Sequence, residues 1–102
     1  MSIEFEWDEN KNQANRDKHG VSFEEARKIW DGNYLEFPEI VQSTGGEERR
    51  ATMGWIEGEV YIGIWTMRED RIRLISVRRA RSYEKEIFSD AFQNDRGDGS
   101  IS

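Results

Sequence analysis

Apolar and polar residues alternate at the start of the chain. In "SIEFEW", Ile3, Phe5 and Trp7 interleave with Ser2, Glu4 and Glu6, the two-residue period of a strand with one buried face. The pattern then stops: from Glu9 to Lys18 there is no Gly or Pro, and Ala14 is the one apolar residue. This predicts a solvated helix of about ten residues, opened by Asp8 as N-cap and closed by Gly20 as a left-handed C-cap. "VSFEEARKIW" has the opposite character. Ser22 and Glu25 have capping-box spacing, and Phe23, Ala26, Ile29 and Trp30 form an apolar stripe that ends at Asp31-Gly32-Asn33, so this helix packs on a core. "YLEFPEIV" is extended, and Pro38 inside it marks an edge strand.

Beyond the polar loop "QSTGGEE" come three strand-like runs, "RRATMGWIE", "EVYIGIWTM" and "RIRLISVRRA", joined at Glu57-Gly58 and at Arg68-Glu69-Asp70. They read as an antiparallel meander. The middle run is apolar on both faces and is expected at the centre of the sheet. "SYEKEIFSDAF" then has Ser82 placed as N-cap, with Ile87, Phe88, Ala91 and Phe92 at helical spacing. The predicted order is β-α-α-β-β-β-β-α. The fold class is α+β: a small antiparallel β-sheet, made of a three-stranded meander plus N-terminal and edge strands, packed with two N-terminal helices and one C-terminal helix. Residues 1–92 read as a single domain. Residues 93–102, "QNDRGDGSIS", carry one apolar residue, Ile101, and read as a disordered tail.

Composition narrows the function classes. Four Trp, three Tyr and five Phe in 102 residues bury a large area per residue and favour a folded globule. There is no Cys, hence no disulfide framework and no thiolate nucleophile, which fits a reducing compartment. "MSIEFEWDEN" has neither a basic nor an apolar leader region, and no run is long enough to span a bilayer; a cytoplasmic location without membrane attachment is expected. The net charge of −6 argues against a generic nucleic-acid binder. Locally the balance reverses, because Arg68 to Arg81 holds six Arg against Glu69 and Asp70.

Strict alternation along the last run puts Arg71, Arg73, Ile75, Val77 and Arg79 on one face and Ile72, Leu74, Ser76, Arg78 and Ala80 on the other. Arg78 then ends an apolar row, where it needs an anion, either a surface carboxylate or a ligand. His19 is the only His and the one side chain whose ordinary pKa lies near neutrality. At a helix C-terminus the dipole favours its imidazolium form. It reads either as an ordinary terminal cap or as a general acid or base. One His and no Cys give no metal-ligand set, and no phosphate-binding Gly loop or nucleophile elbow is present; neither metal nor cofactor is expected. What remains is a cation set, Lys11, Lys18, His19, Arg49, Arg78 and Arg79, with Asn15 sharing the Lys11 and Lys18 face of the first helix. Such a set can cleave RNA without metal. The 2′-OH attacks the adjacent phosphate, one group takes its proton, cations stabilise the added charge, and an acid protonates the leaving 5′-oxygen.

"FEWDENKNQANRDKHGVSFEEA", "GEER" and "RIRLISVRRARSYEKEIF" together resemble the BrnT toxin family of bacterial type II toxin-antitoxin systems, over Phe5 to about Phe88. The resemblance implies a RelE-like fold and an endoribonuclease that stops translation. It also implies neutralisation by a BrnA-type ribbon-helix-helix antitoxin, through which operator DNA is met only indirectly. Family features carry over to Trp7, Asp8, Lys11, Asn15, Lys18, His19 and Gly20, to Glu47 and Arg49, and to Arg78 and Arg79. His19, Arg49 and Arg78, then Lys18 and Arg79, are the implied catalytic set; Lys11, Asn15, Trp7 and Arg73 are the expected RNA contacts. Two positions depart from the family pattern: Phe88 stands where a Tyr is usual, and Val77 where the last strand usually has Ala. An alternative is a catalytically weak binding module acting mainly as the antitoxin's partner or corepressor. A third reading is a free RNA-binding domain.

Overall fold

A computed structural model describes residues 3–37 and 49–101, with side chains up to Phe92. Pro38, the loop "QSTGGEE" and Glu47 lie outside the described residues. The elements are β1 (Phe5–Trp7), α1 (Glu9–His19), α2 (Phe23–Ala26) continued by a 3-10 turn (Arg27–Trp30), β2 (Tyr34–Phe37), β3 (Arg50–Ile56), β4 (Glu59–Arg68), β5 (Arg71–Arg79) and α3 (Ser82–Ile101).

The local signals fold as their chemistry dictates. Asp8 accepts the Asn10 N–H, and Gly20 closes α1 at φ 73°. Ser22 and Glu25 make both bonds of the capping box. Glu57 and Gly58, at φ 51° and 81°, are both left-handed, as a two-residue hairpin with the sheet's twist requires. The second helix is shorter than its stripe suggested. After Ala26 it tightens into the 3-10 turn, which keeps Ile29 and Trp30 on the sheet. At α3, the Lys85 N–H bonds the Arg81 carbonyl, so Arg81 rather than Ser82 is the capping position. The helix also continues past Phe92 to Ile101, through the stretch read as a tail; no Pro there interrupts it.

Strand order is β1-β5-β4-β3-β2, with β4 at the centre and β2 at an edge, as expected. The sheet is mixed rather than wholly antiparallel, because β1 pairs parallel with β5, Phe5 opposite Ile72 and Trp7 opposite Leu74. Hairpin logic applies only to strands adjacent in sequence; β1 reaches β5 across most of the chain. Between β4 and β5 the register steps, with Ile64 opposite Ser76 but Trp65 opposite Leu74. Ile75 is thus the extra residue of a β-bulge. The bulge overturns the strict alternation expected for β5, since Ile72, Leu74 and Val77 all enter one core cluster.

That cluster lies between the sheet and α1, α2 and the 3-10 turn, and includes Val21, Phe23, Ile29, Trp30, Tyr61 and Trp65. Edge-on pairs Phe5–Trp30, Trp7–Phe23 and Trp30–Trp65 tie its layers together. On the other face Ala51, Met53, Val60, Ile62 and Ala80 pack with Phe88 of α3. Among the described residues, no helix is long and apolar enough to cross a membrane.

Candidate active site

The bulge decides which arginine faces which helix. Val77 sits in the α1-side core, so Arg79, two residues on, emerges on that face, while Arg78 and Ala80 emerge on the α3 face. Arg79 stands opposite Tyr61. The Tyr61 phenol, and Glu59 behind it, hold the guanidinium pKa above its ordinary value. Tyr61 is buried in the same cluster as Val21 and Val77. Val21 follows His19 by two residues, so the end of α1 and the end of β5 meet on one face. Lys18 is exposed and His19 half-buried there, beside the carbonyl end of the helix, whose last turn also carries Arg16.

On the other face, Arg78 donates from both terminal nitrogens to the two Glu84 oxygens, each at 2.9 Å, and from Nη1 to the Arg79 carbonyl at 3.1 Å. Glu84 is buried and also accepts the Arg81 N–H at 2.7 Å. This fork-to-fork bond raises the Arg78 pKa and lowers that of Glu84. Arg78 thus has its anion within the chain, and it binds α3 to the end of β5.

The other expected site residues separate. Arg49 precedes β3, beside Arg50, which pairs with Trp65 and through it with Leu74. Arg79 is level with Tyr61 and Gly54. Four residues from Arg50 to Gly54 span about 13 Å of strand, so Arg49 does not join Arg79. Its buried Nε has no partner among the described residues. Arg73 donates to Glu6 at 2.9 Å, directly across from it on β1, and lowers the Glu6 pKa. Trp7 packs on Phe23 and donates to Glu9. Both are half-exposed and have partners within the chain on the β1–β5 side of the sheet. Lys11 is exposed on α1, and Asn15 on the same helix is buried, its carboxamide bonded to backbone. Asn15 is therefore not a solvent-facing RNA contact.

Sequence reasoning missed Tyr61 and Glu84. Tyr61 sits in one of the two apolar rows of a central strand and Glu84 in the first turn of α3; what each faces on β5, Arg79 and Arg78, is not announced by local sequence. Among the described residues, no group of three or more His, Asp or Glu could hold a metal ion. The arrangement at the α1–β5 corner offers an imidazole, a guanidinium opposite a phenol and an exposed ammonium, a set suited to a phosphodiester.

Comparison with known proteins shows the family. The family model described as the ribonuclease toxin BrnT of type II toxin-antitoxin systems matches residues 7–84. The 1.1 Å crystal structure of the Brucella abortus ribonuclease toxin BrnT is similar to this chain with a TM-score of 0.62 and 25% identity, covering 79% of this chain and 100% of that one. No curated protein matches.

Proposed function

The chain belongs to the BrnT family of type II toxin-antitoxin ribonuclease toxins, and on that premise we propose that it is a metal-independent endoribonuclease whose site is the α1–β5 corner. Its substrate is RNA, its action stops translation in the cytoplasm, and a BrnA-type ribbon-helix-helix antitoxin neutralises it and links it to operator DNA. His19 serves in proton transfer, as acid to the leaving 5′-oxygen or base to the 2′-OH. Arg79 stabilises the charge added to the phosphate, while Lys18 and Lys11 hold the flanking backbone. The observation that carries this reading is that Val21, Tyr61 and Val77 share one buried cluster, which supports His19 and Arg79 acting on one phosphate.

The test is cleavage of a ribo-oligonucleotide in EDTA, with growth arrest on induced expression as the cellular readout. His19→Ala and Arg79→Ala should each lower cleavage by about 10²-fold or more, and a 2′-deoxy residue at the scissile position should block it. Folded variants with undiminished cleavage would overturn the assignment. A second reading, a weakly catalytic partner or corepressor of the antitoxin, draws on the neutralised Arg78 and the acidic net charge. It predicts a tight antitoxin complex and enhanced operator binding without growth arrest.

A further inference from the structure

Asn15 lies on the most polar helix of the chain yet is 6% exposed. Its Oδ1 accepts the Val77 N–H at 3.0 Å, with Ser76 Oγ at 3.5 Å. Its Nδ2 donates to the Val77 carbonyl at 2.9 Å and to the Val21 carbonyl at 3.0 Å. One carboxamide thus satisfies both backbone groups of Val77, as a neighbouring strand would. Such a stand-in is needed here. β1 ends at Trp7, opposite Leu74, so the outer edge of β5 has no strand partner at Val77.

The three segments joined are those that carry the site. The Asn15–Val21 bond closes a loop that contains Lys18, His19 and Gly20. The Asn15–Val77 bonds seize β5 just past the bulge, two residues before Arg79. We propose that Asn15 is the positioning residue of the active site, setting the distance and angle between the His19 turn and the Arg79 segment. The inference rests on the reading that His19 and Arg79 form that site. Asn15 touches no substrate; it works through the two groups it registers. Shape alone does not perform this task. An Asp of the same outline keeps the acceptor, but as a carboxylate it turns a second oxygen toward two carbonyls. Burial among acceptors raises the pKa of that new carboxyl, and once protonated it donates again.

The experiment compares wild type, Asn15→Ala and Asn15→Asp on a fluorogenic ribo-oligonucleotide from pH 5 to 8. Activity is scaled to the folded fraction measured by circular dichroism, and sucrose keeps the variants folded. Asn15→Ala should lower kcat by about 10²-fold, the cost of a misplaced catalytic pair, with KM within about threefold of wild type. Asn15→Asp should be equally impaired at neutral pH. Relative to wild type at the same pH, it should recover about tenfold as its new carboxyl protonates. Wild-type kcat in the folded fraction of Asn15→Ala, or a flat ratio of Asn15→Asp to wild type across pH, would overturn the proposal. His19→Ala and Arg79→Ala run alongside: if they cleave normally the site itself is misassigned, and if they are inactive while the Asn15 variants cleave normally, only the positioning role fails.

Discussion

Asn12, like Asn15, does on α1 what apolar residues do on most helices. Its Oδ1 accepts the Phe23 N–H at 2.8 Å, and its Nδ2 donates to Glu9 and Glu24 at 2.9 and 3.1 Å, so the start of α2 is bonded to α1 by a buried side chain. The same economy holds Glu84, a buried carboxylate bonded by Arg78 and the Arg81 amide. Removing Glu84 leaves the half-buried Arg78 uncompensated, and Glu84→Ala should cost about 3 kcal/mol in urea unfolding. The pH dependence has a definite sign. The Glu84 pKa lies below its ordinary value of 4.5 in the folded protein, so its contribution is present above that value and lost as pH falls through the folded pKa. Wild type should therefore lose stability below about pH 4.5 more steeply than Glu84→Gln, measured by thermal unfolding between pH 3 and 6. Of these residues only the local ones were legible: Asp8, Gly20, Ser22 and Glu25 meet partners within four positions. Asn15 meets Val77, and no local pattern announces that.

At the scale of elements, β5 carries the largest difference between expectation and structure. Strict alternation put Arg78 rather than Arg79 in the row of Ile72 and Leu74, and the bulge at Ile75 exchanges them. The bulge has no sequence signature here, because the inserted Ile75 is as apolar as the Leu74 before it. The exchange predicts a split. Arg79→Ala should lower cleavage by about 10²-fold with little change in unfolding free energy, whereas Arg78→Ala should chiefly lower stability, since it strands the buried Glu84. Equal effects of the two on folded-fraction kcat would contradict the facing assigned to them. The pairing of the sheet with the 3-10 turn gives another test. A Cβ at Gly54 would lie 2.6 Å from the Ile29 carbonyl oxygen and 3.2 Å from its Cα, whereas at Gly63 its nearest neighbour is the Ile29 Cδ1 at 3.4 Å. Gly54→Ala must push the turn off the sheet and should cost about 2 kcal/mol or more; Gly63→Ala should cost well under that in the same denaturation series.

For the whole molecule, the net charge of −6 and the basic stripe on β5 are reconciled by pairing. Arg71 meets Glu4, just before β1, and Glu6 on it; Arg73 meets Glu6, and Arg78 meets Glu84. With these three arginines matched, the stripe has fewer cations left for RNA. If Lys11, Lys18 and Arg79 are those that meet phosphate, log KM should rise against log salt with a slope of about 2, from roughly 0.7 per single-stranded phosphate contact. Lys18→Ala should lower that slope by about 0.7. A slope near 5 or 6 would bring the β5 stripe into the interface.

The α+β class, the element order, the central place of β4, the caps of α1 and α2 and the family were all legible along the chain, because each depends on residues close together in sequence or on a motif read in one pass. Tertiary structure alone decided that β1 runs parallel to β5, that Asn12 and Asn15 turn inward, that Arg49 stands apart, and that Arg79 rather than Arg78 shares a face with His19. The physical reason is common to all four. Each is set by hydrogen bonds or register between segments far apart in sequence, and a single inserted residue in a strand reverses the facing of every side chain beyond it.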